Sequence, residues 1–302
     1  KSSKAADAGA VIGAEAATEI PASIIESGPA AGVIAAASVG KACGYANIIT
    51  IDMGGTTAKA AMIEEGEPTR TTEYEVGAGI NLSSKLVKGG GHAVKMPFID
   101  VSEIGAGGGS IVRLDDGGLM RVGPDSAGSV PGPVCYDTGG TRPTFTDAAV
   151  TLGFVNPDFI AGGSVKLNAA MAREAMTRHI AGPAGMPLLA AAHGVYSIAA
   201  ATMMRAVKAV STYQGRDPRD FSLFAFGGNG PIMAVEIARL LEMTRIVVPP
   251  SPGVFSALGL LFSEVRREFQ KTIYRPMEAL TPDLVTEAFA GLTARARRTL
   301  LA

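Results

Sequence analysis

The sequence has no tryptophan, two cysteines and three histidines in 302 residues. Cys43 and Cys135 are too few for a disulfide framework and nothing resembling a signal peptide opens the chain, which makes a reducing cytoplasm the expected compartment. His92, His179 and His193 lack the H-x-x-x-H and H-E-x-x-H spacings, which argues against a zinc site built from protein ligands alone. Charge is scarce in both signs: charged residues make up 18%, and 27 Lys and Arg against 28 Asp and Glu leave a net charge of −1. That balance points to no nucleic-acid partner. Long lipophilic runs are missing too. Residues 180–204 carry no Asp, Glu, Lys or Arg, but Gly182, Pro183, Gly185 and Pro187 break the first part, and alanine, His193, Ser197 and Thr202 dilute the rest. The stretch reads as a buried helix and not as a membrane span.

Glycine and proline, by contrast, are plentiful: 38 and 18 residues, well above the roughly 12% of ordinary usage. The glycines cluster between apolar runs without a three-residue repeat, a pattern that suits loop-built sites. With 47% hydrophobic residues the chain is too apolar for disorder and can bury a substantial core. It opens on Lys1, and Ala302 falls in an unfinished helical pattern, so it is read as a fragment of a longer polypeptide.

Start and stop signals divide the chain. Ser27-Gly28-Pro29 and Gly44 bracket a helix. Residues 47–52, 58–63 and 71–76 read as three consecutive antiparallel strands, and about 77–163 as a Gly-rich insertion of loops and short strands, with a hairpin around Asp115 to Gly118. Helices follow over 168–180 and 188–212, the second with Val195, Ala199, Met203, Ala206 and Val210 on one stripe. Strand 221–226, the turn Gly227-Gly228-Asn229-Gly230, helix 231–241 and strand 245–248 form an α/β unit. A further helix runs to about 264, a strand is expected over 266–274, and Thr281 starts an amphipathic helix. The resulting division is 1–44, the end of an upstream domain and a linking helix; 45–275, the main α/β domain; and 276–302, the start of a helical segment.

Two motifs carry chemistry. In Asp52-Met53-Gly54-Gly55-Thr56-Thr57, at a hairpin tip, the glycines let backbone N–H groups converge on an anion and the threonines add hydroxyl donors, as a phosphate cradle requires. Asp52, emerging from a strand end, suits holding Mg²⁺ through water or orienting an attacking nucleophile. A plain Gly-Gly hairpin turn explains the pattern equally well, and with Lys59 at the wrong distance it is not a Walker A loop. Between a strand and a helix, Phe226-Gly227-Gly228-Asn229-Gly230-Pro231 can seat a base or ribose against bare backbone, or serve close packing alone. Together the two match the order of parts in the actin, sugar-kinase and heat-shock-ATPase superfold, a ribonuclease H-like α/β fold.

The chain resembles the hydantoinase A/5-oxoprolinase family through SGPAAGV at 27–33, IDMGGTTAK at 51–59, EIGAGGGSI at 103–111, VGPDSAGSVPGPVCYDTGG at 122–140, PTFTDA at 143–148, GRDPRDFSLFAFGGNGP at 215–231 and VPPSPGVFSALGLL at 248–261. The resemblance implies an ATPase-like fold with ATP and Mg²⁺ between two domains. It also implies ring-opening hydrolysis of a hydantoin or 5-oxoproline type cyclic amide, or, in related subunits, ketone carboxylation, with a companion hydantoinase B-type subunit or domain. It puts Asp52, Gly54, Gly55 and Thr56 at phosphates or Mg²⁺, and Gly227, Gly228 and Gly230 near the adenosine; Thr57 and Asn229, in the same two loops, are counted with them as cofactor-binding candidates. The family's first phosphate loop precedes this chain, so little ATPase activity is expected from it alone. A nucleotide-binding scaffold is the remaining alternative.

Secondary candidates are weaker. GAGGGS at 105–110 is expected to line a cleft, although it lacks a dinucleotide fingerprint. Asp147 is a candidate catalytic acid and also a natural helix cap. Cys135 with His92 as base is a formal possibility, with a buried inert thiol preferred. Arg216 and Arg219 suit a phosphate or, more simply, a surface ion pair.

Overall fold

The computed structural model describes residues 4–7, 10–13, 17–18, 21–72, 74–76, 92–94, 98–263, 269 and 271–301. Its centre is a sheet of five principal strands: β1 (Ile48–Met53), β2 (Ala58–Glu64), β3 (Val101–Ile104), β4 (Ser222–Phe226) and β5 (Ile246–Val247). They lie in the order 3-2-1-4-5, with β2 antiparallel to both neighbours and β4 parallel to β1 and β5. This is the expected ribonuclease H-like α/β arrangement. β4 is buried along its whole length and β1 along all but one residue, which is why both read as apolar runs without alternation.

Helices cover both faces. On one lie α1 (Ser27–Ala42) and, sharing its cluster, Phe255 of the helix Phe255–Phe262; there Ala30, Val33 and Ala37 pack with Ile48, Ala61, Ile63, Phe224 and Phe226. On the other, Ile49, Ile51, Met53, Ala60 and Met62 meet the long helix Leu188–Val210 and the helix Gly230–Leu240. The expected stripe of Val195, Ala199, Met203, Ala206 and Val210 is buried throughout. In chain order the helices after α1 are α2 (Phe145–Thr151), α3 (Ala169–Met176), α4 (Leu188–Val210), α5 (Gly230–Leu240), α6 (Phe255–Phe262) and α7 (Pro282–Leu301). A π-turn, Thr177–Ala181, extends α3. Residues 180–204 are therefore two pieces, and no helix among the described residues is long and apolar enough to cross a membrane.

Two strand expectations are corrected. The chain follows β2 only through Glu67–Pro68 and Thr69, whose N–H donates to Met62 O at 2.9 Å. It then peels away, Arg70–Thr71 pairing with Phe98–Ile99 and Tyr74–Val76 with His92–Val94. The rest of the β2 edge is taken by β3, which comes from the insertion. With the β2 edge from Ala58 to Ala61 occupied by Val101–Ile104, the expected third strand at 71–76 has no place beside β2 and leaves the sheet. Among the described residues of 266–274 none is in a strand, and Tyr274 stands 98% exposed with no strand beside it to pair with. The insertion hairpin is present as Ser110–Leu114 paired with Met120–Ser126, its turn held by Gly117 and Leu119 N–H groups on Asp115 Oδ1. Residues 77–91 of the insertion, with the glycines at 89–91, lie outside the described residues.

Candidate functional site

The β1–β2 hairpin turns between Met53 and Ala58, and the Gly54 N–H closes it on Thr57 O at 3.0 Å. Gly55 and Thr56 are exposed at the tip, and their N–H groups make no bond among the described residues. Because β4 pairs in register with β1 as far as Phe226 and Asp52, the turn at 227–230 arrives beside this tip. Asn229 ties the two together: its N–H donates to Met53 O at 2.9 Å and its Nδ2 to Gly54 O at 3.1 Å. Gly227 has φ +79°, and a Cβ there would strike the Asp52 carboxylate and the Met53 backbone. Only glycine permits so close an approach. Gly55 and Gly228 need glycine for no such reason, since a Cβ on either would meet open space at the mouth of the tip.

A third segment closes one side. Gly108 N–H donates to Gly54 O at 3.0 Å and Gly109 N–H to Gly55 O at 2.6 Å, so the GAGGGS loop satisfies the outward carbonyls of the tip. A Cβ on Gly107 would come within 2.6 Å of Gly55 O, and one on Gly108 within 3.0 Å of Asn229 Cγ. These three glycines are the site residues that sequence reasoning left vague. Their run was visible, but its partner, the Gly54-Gly55 backbone, lies some fifty residues away in the chain.

Asp52 is half-buried at the end of β1. Burial raises its carboxyl above the usual range, opposed by the Lys59 ammonium and by Ser256, whose hydroxyl donates to Asp52 Oδ2 at 3.4 Å from the start of α6. Lys59 is its register partner on β2, and Glu103 on β3 is the register partner of Lys59. An acid, a base and an acid therefore stand in a row across three strands. Among the described residues no three His, Cys, Asp or Glu side chains cluster as a metal site. A divalent ion at Asp52 would draw most of its shell from water and phosphate, which suits the coordination habit of Mg²⁺.

Asp147 sits apart from this row, fully buried at the start of α2. Its carboxylate accepts from Thr144 N (2.8 Å), Thr144 Oγ1 (2.9 Å), Val134 N (3.2 Å) and Cys135 N (2.7 Å), a capping box extended to a second loop. It reaches the site indirectly: its neighbour Thr146 donates from both N and Oγ1 to Gly108 O. Burial, and then the nearby Asp147 charge, push the Cys135 thiol far up, which makes it a poor nucleophile. Arg216 pairs with Glu64 and Arg219 with Asp217, both on the surface.

Comparison with known proteins supplies context for this geometry. A family model described as hydantoinase/oxoprolinase matches residues 6–269. An uncharacterized protein of Methanocaldococcus jannaschii is 44% identical over 276 residues, covering 91% of this chain and 40% of that protein. Caprolactamase subunit alpha of Pseudomonas jessenii is 34% identical, over 82% of this chain and 34% of its own length. The crystal structure of the ATP-dependent caprolactamase from that organism matches with a TM-score of 0.71 and 31% identity, over 92% of this chain and 39% of the other. Acetone carboxylase, in a nucleotide-free structure from work on ATP-dependent acetone carboxylation, matches with a TM-score of 0.74 and 31% identity, over 86% of this chain and 35% of the other. The chain thus spans two-fifths or less of the length of these relatives.

Proposed function

The chain belongs to the hydantoinase/oxoprolinase family, and on that premise we propose that the Asp52 tip and the 227–230 turn form one half of an ATP site that drives ring-opening hydrolysis of a cyclic amide. The observation that carries this reading is the convergence itself: the turn bearing Asp52 and the Gly55 and Thr56 N–H groups, unbonded among the described residues, is tied through Asn229 to the turn bearing the bare backbone of Gly228. Exposed N–H groups on a rigid turn are what phosphoryl oxygens need. Gly54, Gly55, Thr56 and Thr57 hold phosphates; Gly227, Gly228, Asn229 and Gly230 flank the adenosine. Asp52 would hold Mg²⁺, which would supply neutralisation of phosphate charge.

An unstrained cyclic amide is a poor electrophile. Transfer of the γ-phosphoryl group to its oxygen makes the carbonyl carbon electrophilic; attack by one water breaks the ring C–N bond and leaves an acyl phosphate, and a second water releases phosphate, so that one ATP and two waters give the open-chain amino acid (N-carbamoylated from a hydantoin), ADP and phosphate. Positioning and charge neutralisation are the contributions asked of the protein. Asp147 acts in this scheme by fixing the α2 cap behind Gly108. Residues 45–275 form the ATPase-like unit, and a companion hydantoinase B-type subunit or domain completes the active assembly in the cytoplasm. Since an acetone carboxylase is among the matched structures, the second reading is phosphorylation of a ketone enolate ahead of carboxylation.

Calorimetry with Mg²⁺ and ATP tests the first step, on this chain, on a form extended at its N-terminus and on Asp52→Ala. Binding by the extended form that Asp52→Ala abolishes supports the site; absence of binding in every form overturns it in favour of a scaffold subunit. ATP turnover stimulated by a lactam or hydantoin marks the amidohydrolase, and turnover stimulated by ketone plus bicarbonate marks the carboxylase.

A further inference from the structure

Lys59 is the one basic residue of the sheet's first three strands and sits in the middle of the row formed with Asp52 and Glu103. Its ammonium lies 2.9 Å from Glu103 Oε1 and 2.9 Å from Thr57 Oγ1, and the Lys59 and Glu103 side chains are about four-fifths buried. An ammonium group only donates. Thr57 Oγ1 therefore accepts from Lys59, and the hydroxyl proton of Thr57 is turned away from it. That proton has no acceptor among the described residues, and Thr57 borders the tip where the Gly55 and Thr56 N–H groups are also unbonded. Glu103, gripping the ammonium from the next strand, keeps Lys59 from swinging out to bind an anion itself.

We propose that Lys59 is a positioning residue for the phosphate site: held by Glu103, it orients the Thr57 hydroxyl so that its proton is offered to a phosphoryl oxygen of the bound nucleotide. The inference rests on the ATP reading above and adds to it a residue outside the Asp52–Thr57 loop. If it holds, Lys59 works only through Thr57, and the two side chains are energetically one unit.

A double-mutant cycle read by calorimetry with Mg²⁺ and the non-hydrolysable analogue AMP-PNP on the full-length protein tests this. Lys59→Met and Thr57→Ala are each expected to weaken binding about tenfold, the worth of one hydrogen bond to a charged group. The double variant is expected to be no more than about twofold weaker than either single one. Lys59→Arg and Thr57→Ser, which keep the donor and the hydroxyl, are expected to restore most of the affinity. A roughly hundredfold loss in the double variant, unchanged binding by Lys59→Met, or failure of Lys59→Arg to rescue overturns the proposal. Should Lys59→Met lose its folded circular-dichroism spectrum, Glu103→Gln replaces it in the same cycle with the same criteria. Asp52→Ala separates the two levels: if it loses binding while Lys59→Met does not, the positioning role alone fails. If wild type does not bind AMP-PNP, or Asp52→Ala binds as wild type does, the ATP reading fails and the proposal goes with it.

Discussion

Among the described residues Asp147 commits its carboxylate to four donors, whereas Asp52 takes the Ser256 hydroxyl alone, and that difference decides what each substitution does. Asp147→Ala leaves three backbone N–H groups buried without a partner. The expected loss is about 3 to 5 kcal/mol of stability, read as a lower urea midpoint. Asp52→Ala is expected to leave the urea midpoint nearly unchanged and to abolish nucleotide binding by calorimetry. Gly227→Ala joins the two effects, since its Cβ meets the Asp52 carboxylate at a left-handed φ, and both stability and binding should fall. A third acid gives a pH signature. Asp100 is buried, and burial lifts its carboxyl above the ordinary value against the Gln214 hydrogen bond of 3.0 Å. A raised folded-state value means that its contribution to stability is complete below about pH 4 and is lost as the pH climbs through the folded-state pKa. Thermal melts of Asp100→Asn should therefore gain on wild type as the pH rises above about 4 and match it at the acid end.

Among the elements, the crossing of α1 and α6 is the tightest contact on the site's side of the sheet. A Cβ on Gly259 would run into the Ala31 backbone, and one on Gly32 would reach within 2.8 Å of Ser256 Oγ. Gly259→Ala is expected to push α6 away, lower the melting temperature and carry Ser256 off Asp52, weakening nucleotide binding without touching the loop. How much of this was legible varied with the range of the forces. The ends of β1 and β2, the α4 stripe and the turn before α5 followed from periodicity and from glycine and proline punctuation, all local signals. The third strand did not: 71–76 has the composition of a strand, but its place beside β2 is taken by Val101–Ile104, thirty residues on. The Lys59 row was half visible, as a lone charge in an otherwise apolar strand interior, yet only the register revealed which acids flank it. The GAGGGS loop lacked any local sign of its seat, because its partners are backbone carbonyls rather than side chains.

At the scale of the whole molecule, ligand and stability are linked. A nucleotide that binds only the folded state at a hundredfold excess over its Kd contributes about 2.7 kcal/mol. For a chain of this size that is a rise of roughly 5 °C in a thermal-shift assay with Mg²⁺ and AMP-PNP, absent in Asp52→Ala. The order in which the site is put together also follows from the pairing of β1 with its two neighbours. With β2 it closes a hairpin of a few residues; with β4 it pairs residues about 170 positions apart. Local closure is fast, and long-range parallel pairing waits on the loss of far more chain entropy. A chain emerging from the ribosome thus carries a finished Asp52 tip long before the 227–230 turn exists to meet it. The Asp52 tip is an early structure and its meeting with the 227–230 turn a late one, so on the proposed reading an incomplete chain has nowhere to hold ATP.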